Sequence, residues 1–255
     1  MEAVLYICHG SRVKEASDQA ISFIEKCMKI NGFKGIQEYS FLELADPSIE
    51  EGFRKCVEKG VSTINIIPVL LLTAAHAKKD IPEVLEKLSL KYPHVQMKYG
   101  KPIGVHPQMV KIVADKIRSA SLYKESNETM LVMLVGRGSS DPDVKRDLGK
   151  IAALLEQQVE QIVVQDCYLT AAQPSFEEAL QMADHSSYRH VLVIPYLLFT
   201  GILMKSMEKT INKIKSNHKE YELAPYLGYD PLIAGILKER IDEMMVGNEY
   251  AFITS

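Results

Sequence analysis

Short apolar runs alternate along the chain with longer segments in which apolar residues recur every three or four positions. The longer segments predict amphipathic helices; in the segment 16–30, Ala20, Phe23, Ile24 and Cys27 fall on one face. Alternation of this kind is typical of parallel sheets with helices on both faces. The short runs predict strands near 4–8, 37–42, 63–68, 96–99, 131–135, 161–166, 191–195 and 221–224.

Proline marks several predicted helix starts, because proline is favoured in the first turn of a helix. The polar segment 121–128 predicts a linker between two domains. The predicted starts lie at Asp46-Pro47, His106-Pro107, Asp141-Pro142, Gln173-Pro174 and Asp230-Pro231.

Four blocks of the first half of the chain return in the second half, in the same order and 124–128 residues later. Such self-similarity at one offset indicates a duplicated domain. We therefore expect an α/β protein of two similar domains, residues 1–122 (the first copy) and 129–255 (the second copy). Each should hold a four-stranded parallel sheet. The paired blocks are 4–12 with 133–140, 45–51 with 172–178, 67–73 with 194–200, and 104–107 with 228–231.

Three residues with metal-binding side chains follow three different strands of the first copy. His9 follows the first strand, Glu43 the second, and His76 lies just past the third. In an open parallel sheet, ligands bind beyond the carboxyl ends of the strands, and so these side chains should share one edge. Each residue alone also fits a structural role. Together, two imidazoles and a carboxylate suit a divalent first-row metal and leave coordination positions open.

The second copy has lost these side chains. At the positions equivalent to His9, Glu43 and His76 it carries Arg137, Thr170 and Leu203. The sequence therefore predicts one metal site, in the first copy.

Composition narrows the class of protein further. A net charge of −3 and a pI near 6.2 argue against a nucleic-acid or anionic-membrane partner. No apolar run is long enough to span a bilayer. The four cysteines form no C-x-x-C pair, which favours reduced thiols and a cytoplasmic location. Neither copy has a G-x-G-x-x-G motif after its first strand, and we expect no organic cofactor.

Four segments of the chain form a recognisable set: Cys8-His9-Gly10-Ser11-Arg12, Phe41-Leu42-Glu43 with Pro47, Pro68-Val69-Leu70-Leu71, and His76-Ala77-Lys78-Lys79-Asp80-Ile81-Pro82. Together they resemble the class II chelatases, and the resemblance covers essentially the whole chain. The resemblance implies two flavodoxin-like domains that face each other across an active-site cleft for a tetrapyrrole. It also implies that His9, Glu43 and His76 bind the metal and are the catalytic residues.

The activity implied by this resemblance is insertion of Fe²⁺ into sirohydrochlorin, with release of two protons and with iron as a substrate. Insertion of Co²⁺ is an alternative, since nitrogen and oxygen ligands do not distinguish the two ions. Some cobalt-type relatives carry a histidine-rich tract or a cysteine cluster. Neither follows Asp230 in this sequence, which favours iron over cobalt. A non-catalytic metal or tetrapyrrole carrier is a further alternative, although a carrier has no need of a base such as Glu43.

The carboxylate-rich rim of sirohydrochlorin would require cationic or hydrogen-bonding groups nearby. Each of the candidates also fits the role of an ordinary surface residue. The candidates are Ser11, Arg12, Lys78, Arg137 and Lys205.

Overall fold

The computed structural model describes residues 1–214, 218–228 and 230–246. The end of the predicted second domain, residues 247–255, lies outside them. Strands occur at all the predicted positions, with ends that differ by no more than a few residues. They are β1 (Glu2–Cys8), β2 (Ile36–Phe41), β3 (Thr63–Val69), β4 (Gln96–Tyr99), β5 (Met130–Gly136), β6 (Ile162–Tyr168), β7 (His190–Pro195) and β8 (Glu220–Leu223).

Helices separate the strands, as the apolar periodicity predicts. In the first of them the predicted face of Ala20, Phe23, Ile24 and Cys27 is buried. The helices are α1 (Lys14–Ile30), α2 (Ile49–Glu58), α3 (Ile81–Lys91), α4 (Pro107–Ser119), α5 (Ser121–Glu125), α6 (Pro142–Gln158), α7 (Phe176–Asp184), α8 (Ile202–Ile211) and α9 (Pro231–Val246).

The strands form two four-stranded parallel sheets with the same topology, β2-β1-β3-β4 and β6-β5-β7-β8. The predicted α/β class and the duplication are therefore confirmed. The central strands β1 and β3 are almost wholly buried, and side chains such as Phe53 on α2 pack against them. Each large apolar side chain buried in this way contributes about 1.5–3 kcal/mol to stability.

Two of the predicted proline helix starts are displaced. Pro47 and Pro174 stand two residues before helices α2 and α7. The first turn of α2 is instead satisfied by a capping box, in which Ser48 accepts from the Glu51 amide and the Glu51 carboxylate accepts from the Ser48 amide. The second copy repeats this arrangement at α7. In both copies a serine caps the helix, and the proline lies outside it.

The predicted linker 121–128 is partly helical, because α5 occupies its first five residues. The amides of Ser121 and Leu122 donate to the carboxylate of Glu222, at 3.1 and 2.8 Å. A carboxylate distant in sequence therefore satisfies the first turn of this helix, a contact that local sequence does not reveal.

The compact units of the fold differ from the predicted domain boundaries, 1–122 and 129–255. One unit takes Met1–Gly104 together with the described residues from Pro231 onward, and the other takes Val105–Asp230. Helix α4 packs against α6 of the second unit, whereas α9 packs against α1 and β3 of the first. Helix α4 comes from the first copy but belongs to the unit that holds most of the second copy. Helix α9 comes from the second copy but belongs to the unit that holds most of the first copy. Long-range packing, and not chain continuity, decides where these helices belong.

Across the ranges that the structure describes, no helix combines the length and apolar character needed to cross a membrane.

Candidate metal centre

His9 follows β1 directly, and its ring is oriented by a backbone carbonyl. Nδ1 lies 3.1 Å from the carbonyl oxygen of Gly10, which only accepts hydrogen bonds. Nδ1 is therefore the protonated nitrogen, and Nε2 carries the lone pair. The neighbouring Cys8 offers no thiolate ligand, because it is buried and burial raises the pKa of its thiol to about 12.

Gly10 brings the Glu43 segment against the His9 loop. Its backbone has a φ of 93°, and a Cβ atom at this position would lie 1.7 Å from the carbonyl oxygen of Glu43. The amide of Glu43 also donates to the carbonyl of His9 over 3.1 Å. The close approach of the two strand ends therefore depends on glycine, which has no Cβ and accepts a positive φ.

Glu43 extends its carboxylate toward His9. Its Oε1 atom lies 3.6 Å from His9 Nε2, and the Glu43 side chain is 45% exposed. Both atoms bear lone pairs when the imidazole is neutral. A cation between them would be favourable, whereas direct contact of two acceptors is not.

His76 opens a single π-helical turn, His76–Asp80, which runs into α3. Nδ1 of its ring lies 2.6 Å from Oδ2 of Asp80, so that in the neutral imidazole Nε2 is again the nitrogen with the lone pair. The His76 and His9 rings meet edge to face, with centroids 4.8 Å apart and an interplanar angle of 88°. Sequence reasoning missed Asp80, although a histidine and a carboxylate four residues apart at a helix start are a signal for this contact.

The structure thus brings the three predicted ligands together. One ligand atom from each of His9, Glu43 and His76 lies within 4.8 Å of the others, and this is the sole such group of His, Cys, Asp or Glu found among the described residues. Ligands at about 2.0–2.2 Å from a metal are at most about 4.4 Å apart. A small rotation of these side chains would bring all three onto one ion.

The proposed substrate-binding residues of the first copy lie close by in sequence but differ in their contacts. The Ser11 hydroxyl accepts from the amide of Val13 over 3.1 Å and so stabilises its own turn. Arg12 and Lys78 have exposed side chains.

The equivalent loops of the second copy keep the backbone arrangement without the ligands. Gly138 has a φ of 91°, and a Cβ there would lie 1.8 Å from the carbonyl oxygen of Thr170. The amide of Thr170 donates to the carbonyl of Arg137 over 2.9 Å, as Glu43 does to His9. Arg137 and Lys205 are exposed in the second unit. The duplication therefore preserved the geometry of these loops and changed their chemistry.

Comparison with known proteins agrees with this duplicated architecture. A model of the CbiX family matches residues 3–120 and again residues 131–244. The chain belongs to the CbiX family. The resemblance to the class II chelatases is confirmed, and the two matches fall on the two copies.

Relatives of known name cover nearly the whole chain. It is 49% identical to the sirohydrochlorin ferrochelatase of Priestia megaterium, over 98% of this chain and 94% of that protein. It is 35% identical to a sirohydrochlorin cobaltochelatase of the same organism, over 97% and 81% of the two chains. The structure of SirB from Bacillus subtilis with Fe³⁺ superposes with a TM-score of 0.86, at 41% identity and over 97% of each chain.

Proposed function

We propose that this CbiX-family protein is a sirohydrochlorin ferrochelatase, which inserts Fe²⁺ into sirohydrochlorin and releases two protons. The observation that carries the proposal is the convergence of His9, Glu43 and His76 from three strand ends. The 49% identity of the chain to a sirohydrochlorin ferrochelatase, over 98% of its length, supports the same activity.

The two imidazoles would deliver the metal. In both rings Nδ1 is engaged, to the Gly10 carbonyl in His9 and to Asp80 in His76, and Nε2 would be the ligand atom. Neutral nitrogen ligands bind Fe²⁺ without cancelling its charge. Two such ligands leave several coordination positions open, and the pyrrole nitrogens of the substrate can occupy these positions. The site therefore suits transfer of the ion better than permanent storage.

Glu43 would supply charge and a base. Its carboxylate offsets part of the metal charge, and it can accept a pyrrole proton directly or through water. The 45% exposure of its side chain supports onward loss of that proton to solvent. This role distinguishes an enzyme from a carrier, because a carrier does not have to remove the two protons.

Sirohydrochlorin would be held through its carboxylates. Arg12 and Lys78 of the first copy and Arg137 and Lys205 of the second are exposed cations suited to this contact. Ser11 would contribute its hydroxyl proton, since its oxygen already accepts from Val13.

Cobalt insertion is the second candidate function. The 35% identity to a sirohydrochlorin cobaltochelatase supports it, and a site of imidazole and carboxylate binds both Fe²⁺ and Co²⁺. The higher identity to the ferrochelatase favours iron.

We also propose a cytoplasmic location. All four cysteines are thiols without a disulfide, and all are buried, as expected for a protein of a reducing compartment.

The proposed function is tested by anaerobic incubation of the protein with sirohydrochlorin and either Fe²⁺ or Co²⁺. We expect the absorption change of metallation with both ions, and a higher kcat/KM with Fe²⁺. A higher kcat/KM with Co²⁺ would assign the cobalt reaction. If the protein bound sirohydrochlorin tightly but did not accelerate metal insertion over the protein-free reaction, the function would be that of a non-catalytic carrier.

A further inference from the structure

The two copies differ by one residue at the start of the helix that follows their third strand. In the first copy the core-facing residues are Ala77 and then Ile81, four positions later. In the second copy they are Met204 and then Met207, three positions later. The next buried residue lies four positions further on in both copies: Leu85 follows Ile81, and Ile211 follows Met207. The first copy therefore has an extra residue between its first two core positions.

The π turn accommodates this residue. The amide of Ile81 donates to the carbonyl of His76, five positions back, where an α-helix would bond four back. The second copy has no such turn within its described residues, and α8 begins there as an ordinary α-helix. A single π turn within an α-helix is rare and is frequently found at functional sites.

The inserted residue changes the environment of the residue four positions after His76, or after Leu203 in the second copy. In the second copy that residue is Met207, which is 0% exposed in the core. A carboxylate there would lose its hydration without a partner, which is strongly unfavourable. In the first copy the extra residue gives the core position to Ile81, and the Asp80 side chain stays 42% exposed and within 2.6 Å of His76.

Tyr99 stabilises the turn from the end of β4. Its hydroxyl donates to the carbonyl of Ala77 over 2.9 Å, and burial raises the pKa of the phenol, which keeps it protonated. Tyr99 pairs with Ile66 in the sheet, and the equivalent pair in the second copy is Leu223 with Val193. The copy without metal ligands has therefore also lost this hydroxyl.

We propose that Asp80 is a positioning residue of the metal site. The inserted residue and Tyr99 hold the π turn in the conformation that places the Asp80 carboxylate against His76. The proposal rests on the proposed role of His76 as a metal ligand. A carboxylate that accepts from Nδ1 fixes the tautomer and the ring orientation and makes Nε2 a stronger ligand. Loss of such a partner typically weakens metal binding by about 10–100-fold.

The test is anaerobic titration of the full chain with Co²⁺, a spectroscopic substitute for Fe²⁺, followed by visible absorption. Asp80→Ala should raise the Kd about 10–100-fold and change the ligand-field bands. Asp80→Asn keeps an acceptor for Nδ1 and should recover part of the loss. Glu83→Gln is the matched control, because this exposed carboxylate on the next turn faces Lys79 and not His76. It should bind Co²⁺ like the parent protein.

Tyr99→Phe removes only the hydroxyl and should weaken Co²⁺ binding less than Asp80→Ala does. The metal-free variants at Asp80 should unfold at the parent temperature, since that side chain is half exposed. Parent-like affinity and spectrum in Asp80→Ala would overturn the proposal. If His76→Ala bound Co²⁺ as tightly as the parent, the proposed metal site itself would fail, and the two failures are thereby distinguished.

Discussion

The Nε2 atom of His9 lies 3.6 Å from Oε1 of Glu43, although the two residues follow different strands. Nδ1 of His9 is committed to the Gly10 carbonyl, so that in the neutral imidazole Nε2 meets the carboxylate with its lone pair. Two acceptors held at this distance are complementary to a cation. An ion pair contributes little at an exposed position, and so this geometry supports the proposed metal site.

Replacement of either histidine should abolish metal insertion. His9→Ala and His76→Ala each remove a nitrogen ligand, and we expect no insertion above background in the absorption assay. Both side chains are partly exposed and contribute little to the core, so the unfolding temperature should change little. His94→Ala, at an exposed histidine of the same unit, is the control and should retain full activity. Full insertion rates in both site variants would contradict the assignment.

Glu43→Gln should reduce turnover more than binding. The amide keeps the shape of the side chain but removes the negative charge and the base. We expect a large fall in kcat with a nearly unchanged Kd for sirohydrochlorin, measured by steady-state kinetics and by absorption titration. Parent-like turnover across the pH range would leave Glu43 with a structural role only.

Gly10→Ala should impair the site through the backbone. The new methyl group would meet the Glu43 carbonyl, and alanine at a φ of 93° adds strain, for a loss of at least about 1–3 kcal/mol of stability. Gly138→Ala is the matched control in the second copy, where the same clash falls on Thr170. Both variants should be destabilised in thermal unfolding, but Gly10→Ala alone should weaken Co²⁺ binding. An equal loss of Co²⁺ affinity in both would contradict this interpretation.

The strand pattern and the parallel topology were sufficient to predict that His9, Glu43 and His76 lie at the same sheet edge. Runs of β-branched residues locate the strands, and the sheet then determines which loops are adjacent. Asp80 was missed because its position depends on a π turn, which the Tyr99 hydroxyl and the core position of Ile81 stabilise. The four-residue spacing of His76 and Asp80 signals that the two side chains can meet, but neither of these stabilising contacts is visible in local periodicity.

The domain boundaries depend on the same kind of long-range contact. Helix α4 continues the first copy in sequence, yet its buried face packs in the unit of α6. Helix α9 likewise packs against β3 and α1. An amphipathic pattern shows that a helix has a partner but does not show which one.

Arg137→Ala should weaken sirohydrochlorin binding and leave metal binding unchanged. Arg137 replaces His9 in the second copy, and a guanidinium there is suited to pair with a substrate carboxylate. We expect a higher Kd for sirohydrochlorin by absorption titration and a parent-like Kd for Co²⁺. Arg118→Ala is a suitable control, since this exposed arginine already contacts Asp115 on its own helix. Equal effects of the two variants on sirohydrochlorin binding would exclude a specific role for Arg137.

The second copy should not hold metal, even when a histidine is restored at the equivalent position. Titration with Co²⁺ should show one tight equivalent per chain, and Leu203→His should leave that number unchanged. Thr170 and Arg137 lack the other ligands. The fourth residue after position 203 is Met207, which is buried in the core and cannot orient a new imidazole as Asp80 orients His76. Two equal tight sites in either protein would contradict the proposal that the first copy alone provides the metal ligands.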